Sequence, residues 1–447
     1  MEQAGVDATA ISVFERQVEQ VQAGVSTMIY DADVGPWESP QLDVLEVDDS
    51  LVAQTAMIRL NGGLGTSMGM NRAKSLLPVT DELSFLDIIA RQVLSTRSHY
   101  NAGIPLTFLH SFRTSADCLA ALAQHDGIEN AAMKLAGVPL ELMQNQEPKL
   151  LADELTPVEW PAEPELEWCP PGHGDLYTVL HASGLLAKLL EAGYRWLFVA
   201  NSDNLGARVT AEMVSWFAGC GAPFALEAVR RSKSDRKGGH FVTRRSDGRL
   251  VLRESAQTPP EEVDASQRYG YSSTNNLWLD IADVNDLLAE QGGDMHLPII
   301  VNRKTVDPSD ATSLAVVQLE TAMGAAVESF QGATTVEIGR DRFIPVKTTN
   351  DLLVVRSDCY RLTDDNSLVQ DSAQTPFVEL SAAYKVIHDF DARFPAGPPS
   401  LIDARSLIVR GDWTFGEGVT VVGDVELGLE GGAIPDGAVL DGSEARS

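Results

Sequence analysis

Lys74, Asp203, His173 and Lys347 each stand in a local setting suited to handling phosphate. Lys74 nearly closes the segment LNGGLGTSMGMNRAKS, Leu60 to Ser75. Its Gly62, Gly63 and Gly65 permit close backbone approach and positive φ. Main-chain N–H groups in such a loop can cradle a base or phosphates. Asp203 lies at the end of the apolar run WLFVANSDN. A carboxylate there suits Mg²⁺, a hard cation that prefers oxygen ligands and substrate phosphates; an Asx-turn is the plain alternative. His173, in PPGHGD, can donate to phosphate in either tautomer, or simply cap the helix that begins near Asp175. Lys347, in PVKTT, taken alone is an ordinary strand-end lysine.

The charge of the whole chain sharpens these readings. It has 447 residues, with 64 acidic against 34 basic side chains and a formal net charge of -30. Such a surface repels nucleic-acid backbones and anionic lipid, so neither nucleic acid nor membrane is an expected partner. Phosphate must therefore be met by a local basic spot. Hydrophobic residues make up 44%, enough for a globular chain of two or three domains. Cys118, Cys169, Cys220 and Cys359 form no CxxC pair, which fits a reducing compartment. With no secretory leader pattern and no apolar run of about 18 residues, the expectation is a soluble cytoplasmic protein.

The elements that must position these residues follow from hydrophobic period. Residues 1–50 read as an amphipathic helix, with Ile11, Phe14, Val18, Val21 and Val25 on one side, and an acidic linker from Asp31 to Asp49. Residues 51–360 alternate strands and helices. TAMIRL, PLTFLHS, LELMQN, WLFVANSDN and FALEAVR are strands, and helices follow Thr114 or Ser115 and Asp175. That alternation predicts a mostly parallel sheet with helices on both faces, whose ligands sit beyond the carboxyl ends of the strands. In residues 361–447, Val409, Phe415, Val421, Leu427, Ala433 and Val439 recur every sixth residue with Gly and Asp between them. The hexads predict a short parallel β-helix, a packing or oligomerisation element rather than a catalytic one.

Gly-rich loops come in distinguishable kinds. No Gly-Lys-Ser/Thr follows this loop, which excludes a Walker A motif, and Met68 occupies the third glycine position of a Rossmann fingerprint. What remains, LxGGxGTxxG followed by a lysine, resembles the sugar-nucleotide pyrophosphorylases. PPGHGD, NSDNLGA, DRKGG, STNNLW, VVQLETAMGAA and RFIPVKTTNDLL then follow in order. Together these blocks, over roughly residues 55–360, resemble the UTP–glucose-1-phosphate uridylyltransferase family of the eukaryotic type. QNQEPKL, residues 144–150, departs from the family's longer Phe-Asn-Gln block.

The resemblance implies a Rossmann-like, GT-A-like nucleotidyltransferase fold with a left-handed C-terminal β-helix. It implies Mg²⁺-dependent attack by the phosphate oxygen of glucose 1-phosphate on the α-phosphorus of UTP, reversibly yielding UDP-glucose and pyrophosphate. The attacking group is already an anion, so positioning and charge neutralisation matter more than a general base. Lys74 and Lys347 would be the catalytic cations, and Asp203 the protein's metal ligand. Leu60, Asn61, Gly62, Gly63, Gln146, Gly172 and Asn201 would join Lys74 and Asp203 around the nucleotide, Gln146 reading the uracil. His173, Asn201, Lys237, Asn275 and Asn276 would meet the sugar phosphate. N-acetylhexosamine or galactose 1-phosphate as substrate, and a non-catalytic sugar-nucleotide sensor, are the competing readings. A homo-oligomer joined through the C-terminal domain is also implied.

Overall fold

A computed structural model describes residues 1–44, 46–80, 82–129, 137–232, 235 and 238–442. At its centre is a 10-stranded mixed sheet. Trp196–Asn201, Thr55–Asn61, Leu106–His110 and Glu141–Met143 are neighbours and all parallel. Their residues alternate between two apolar clusters. Met57, Phe198 and Ala200 enter one, and Ile58, Leu197 and Val199 the other. Both faces are thus buried, as the period of two requires when helices cover each side. Phe85–His99 covers one face, started by the capping box of Ser84 and Asp87. Leu176–Ser183 and Leu185–Glu191 cover the other, and Gly184 divides what the apolar spacing suggested as one helix.

The other half of the sheet is largely antiparallel, with Thr334–Glu337 running parallel to Phe224–Arg230, which corrects the expectation of a mostly parallel sheet. Tyr271–Asp280 runs antiparallel to both Trp196–Asn201 and Phe224–Arg230. His240–Arg244 and Leu250–Arg253 extend that side. The Asp31–Asp49 stretch is more than a linker. Val34–Pro36 pairs with His240–Arg244 as an edge strand, and Asp31 binds Arg253 at 2.7 Å and Arg268 at 3.0 Å. The N-terminal helix, Ala8–Gln22, buries Phe14 against Leu150, Ile299, Val317 and Leu319. It stops before Val25, which is exposed.

Beyond residue 376, Phe377–Leu380, Ala404–Val409 and Gly423–Leu427 stack in parallel. Trp413–Phe415 pairs with Gly432–Ile434, and Thr420–Val421 with Val439–Leu440, also in parallel. Val409 lies opposite Leu427, but Phe415 lies opposite Ile434 and Val421 opposite Leu440. One extra residue therefore enters the turn between Leu427 and Ile434. Val409, Phe415, Val421 and Leu427 point inward as the hexads predict. Ala433 and Val439 do not; both are exposed, and Ile434 is buried in their place. The inner residues join the same apolar cluster as Met57 and Phe198, so this stack is packed onto the sheet's core.

Candidate active site

The glycine loop starts where the Thr55–Asn61 strand ends and folds back on itself. The Lys74 N–H donates to Gly63 O at 3.2 Å, which brings Lys74 to the mouth of the loop. Lys74 Nζ then lies 2.8 Å from Asp203 Oδ2, both side chains partly exposed. Asp203 sits in the turn after Trp196–Asn201, at the carboxyl end of the neighbouring parallel strand. Three bonds hold that turn from beneath. The buried Arg59 guanidinium donates to Asn201 O at 3.2 Å, Asn204 O at 3.3 Å and also to Ala207 O. From the other side the Val346 N–H donates to Asp203 O at 3.0 Å, which sets the exposed Lys347 beside the same turn.

His173 connects these charges. Its Nδ1 accepts the Met323 N–H at 3.0 Å, so the ring's proton resides on Nε2 and can be donated. Burial, reinforced by the Lys347 charge and opposed by Asp203, lowers its pKa to about 4. The ring is therefore a neutral donor near neutrality, not the protonated one that would bind phosphate most strongly. The preceding Gly172 has φ 81°, and a Cβ there would lie 2.6 Å from Thr321 O. Only glycine fits, because the loop lies directly on the Ala315–Thr321 strand, whose Thr321 N–H donates to Pro171 O at 3.0 Å.

Gln144, not Gln146, stands between the two glycine segments. Its Nε2 donates to Gly172 O at 2.6 Å, and a Cβ on Gly62 would overlap its Oε1. Its N–H continues the sheet ladder by donating to His110 O at 2.7 Å. Gln146 instead lines a small cavity with Met1, Phe14 and Gln17. Two residues on, side chains have left the strand-end rim, which is why the assignment shifts. Asn145 is pinned to Asp175 through its N–H at 2.7 Å and its amide at 2.8 Å. Burial raises the Asp175 carboxyl to about 6 and pushes the neighbouring Glu147 carboxyl well up.

Several expected contacts are redirected. Leu60 O accepts from the Ser202 N–H at 3.0 Å, and Asn61 O from the Thr114 hydroxyl at 2.8 Å. The Asn61 amide turns inward to Cys118 Sγ at 3.2 Å. These residues form the platform rather than the lip. Asn201 is half-buried at its strand end. A bulge between Ser273 and Leu277 separates the two adjacent asparagines. Asn275, with φ 57°, stays half-exposed. Asn276 is fully buried and binds Glu227 Oε2 at 2.8 Å, so it cannot meet a substrate. Lys237 lies outside the described residues. Glu254 was not foreseen from sequence. It is half-buried; burial raises its pKa and the nearby Lys347 charge lowers it. The signal available was its position just past the Leu250–Arg253 strand.

Among the described residues no three acidic, His or Cys groups gather as a metal cage. The partly exposed Asp203 carboxylate still fits Mg²⁺, which usually keeps several waters and takes one or two carboxylates plus substrate phosphates. Two lysines, a neutral histidine donor and one carboxylate beside a glycine loop at the carboxyl ends of parallel strands define a nucleotidyltransferase.

Residues 14–422 match the family model described as UTP–glucose-1-phosphate uridylyltransferase. The protein of that name from Hordeum vulgare is 33% identical over 99% of this chain and 93% of its own. A solved UDP-glucose phosphorylase from Trypanosoma brucei superposes with a TM-score of 0.93 at 38% identity, covering 99% of this chain and 97% of that one. A variant of UDP-glucose pyrophosphorylase from Leishmania major in complex with UDP-glucose gives 0.92 at 39%, covering 98% and 96%. The chain belongs to the UTP–glucose-1-phosphate uridylyltransferase family and is an enzyme.

Proposed function

We propose that this enzyme forms UDP-glucose and pyrophosphate from UTP and glucose 1-phosphate. What supports the reading is the Lys74–Asp203 pair at the mouth of the glycine loop, with the segment leading to Lys347 bonded to the Asp203 turn and the His173 ring within electrostatic reach of both Lys347 and Asp203. A phosphate oxygen of the sugar 1-phosphate attacks the α-phosphorus of UTP. The bond to the oxygen leading to the β-phosphorus breaks in line, and pyrophosphate leaves with that electron pair. No proton need be removed, so the work is to neutralise charge and align two anions.

Gly62, Gly63 and Gly172 leave room for the uracil, and the Gln144 amide reads its edge. Lys74 leaves Asp203 for the triphosphate when nucleotide arrives. Asp203 is then free to hold Mg²⁺, which when bound neutralises phosphate charge. The His173 Nε2–H donates to a phosphate oxygen, and Lys347 offsets charge at the reacting phosphate or the departing pyrophosphate. Glu254 and Asn275 face the sugar hydroxyls. The C-terminal parallel stack reads as a short β-helix outside this chemistry.

The test is pyrophosphate release from UTP with glucose, galactose and N-acetylglucosamine 1-phosphates, each with and without EDTA. Preference for glucose 1-phosphate and loss of turnover with EDTA are expected. Equal use of the three sugars overturns the glucose assignment, and EDTA-resistant turnover overturns the Mg²⁺ assignment.

A further inference from the structure

Glu227 is fully buried, and its carboxylate is saturated with donors. Oε1 accepts from Trp278 Nε1 at 2.9 Å and Arg342 Nη2 at 2.5 Å. Oε2 accepts from Asn276 Nδ2 at 2.8 Å and Arg342 Nε at 3.0 Å. The guanidinium is almost as buried as the carboxylate. A buried ion pair is weak support for stability, because well-packed apolar residues of the same volume often do as well. What the fork-to-fork geometry does supply is direction.

That direction is passed on. Arg342 Nη2 also holds Arg208 O at 2.8 Å, just past the turn that bears Asp203. Asn204 Nδ2 donates to Arg342 O at 3.1 Å and to Asn276 Oδ1 at 3.3 Å, while Asn204 Oδ1 accepts the Ile344 N–H at 2.8 Å. With the Val346 N–H to Asp203 O, residues 342–346 are laced along the Asp203–Asn204 turn. Lys347 is the next residue. We propose that the Glu227–Arg342 pair is the positioning element that fixes where Lys347 stands relative to Asp203, although neither member touches substrate. This rests on the proposed function, in which those two side chains act on the same phosphates.

The test is a double-mutant cycle. Glu227→Gln keeps the shape and removes the charge. In the full-length enzyme it should lower kcat by about a hundredfold, as misplacing a catalytic group does, with KM for UTP within about threefold and cooperative melting retained. In a Lys347→Ala background the same change should cost less than about threefold, because the group it positions is gone. Losses that simply multiply in the double variant overturn the proposal, as does full activity of Glu227→Gln beside an impaired Lys347→Ala. Full activity of Lys347→Ala overturns both this proposal and the reading of the site. Should Glu227→Gln fail to fold, Asn204→Ser cuts the lacing and leaves the ion pair intact, and the same non-additivity with Lys347→Ala is expected.

Discussion

Lys74 Nζ and Asp203 Oδ2 are 2.8 Å apart across two different loops, one from each of two neighbouring parallel strands. The pair holds a cation and an anion in reserve, each cancelling the other until a ligand separates them. Partly exposed ion pairs of this kind contribute about 1 kcal/mol or less, so a triphosphate outcompetes the bond at little cost. Lys74→Ala should therefore weaken UTP binding and lower turnover together. Calorimetric titration of UTP alongside kcat checks it; unchanged UTP affinity would count against the role.

Lys347→Ala should behave differently. Turnover should fall by about a hundredfold or more, the scale for losing one charge stabiliser, while UTP binding suffers less. The measurement is the split between kcat and UTP affinity, and intact turnover would remove Lys347 from the chemistry.

The two glutamines give a direct comparison. Gln144→Ala should raise KM for UTP by about tenfold, consistent with about 1–3 kcal/mol for leaving polar partners unpaired. It should also narrow the preference for UTP over CTP. Gln146→Ala, at a residue facing the N-terminal helix, should alter neither. Reversal of that order would restore the sequence-based assignment.

His173 offers a pH test. Its folded pKa, about 4, lies below the ordinary 6.5, so on acidification the unfolded chain binds the proton first. The stability it contributes is complete above about 6.5 and drains away as pH falls toward about 4. A histidine NMR titration should show this ring unprotonated through pH 6.5. A midpoint near 6.5 would mean that the Met323 N–H bond and the enclosure of the ring have been misread.

Asn275 and Asn276 should separate cleanly. Asn276→Ala strands buried polar groups on Glu227 and should cost about 1–3 kcal/mol of stability, read as a lowered denaturation midpoint. Asn275→Gly, which keeps the φ of 57° without strain, should move that midpoint far less and raise KM for the sugar phosphate. Equal effects on stability would contradict the bulge.

Much of this architecture was legible in the chain. The parallel strands are apolar runs ending in Asn- and Gly-rich loops, and that contrast alone locates the rim where Lys74 and Asp203 meet. The antiparallel half was not legible. Val34–Pro36 is three residues long in an acidic stretch, and its partner lies some two hundred residues away. Nothing local marks Asn276 as core and Asn275 as rim; the two residues that Tyr271–Asp280 gains over its partner between Ser273 and Leu277 decide it. The Gln144 and Gln146 choice turned on where the Glu141–Met143 strand stops, and boundaries are the least determined part of any periodic pattern. Glu254 was missed because one carboxylate among 64 acidic side chains carries no signal until folding brings it near Lys347.

The extra residue between Leu427 and Ile434 also defines how the C-terminal stack can change. Interior and exterior alternate from one position to the next along a strand, so a shift of one exchanges them all. Trimming that turn by a single residue would restore the six-residue rhythm and keep Ile434 inside, whereas holding the present chain to an even step would turn Ala433 and Val439 inward and expel Ile434. As the chain stands, that irregular step is what seats Ile434 opposite Phe415 in the interior of the stack.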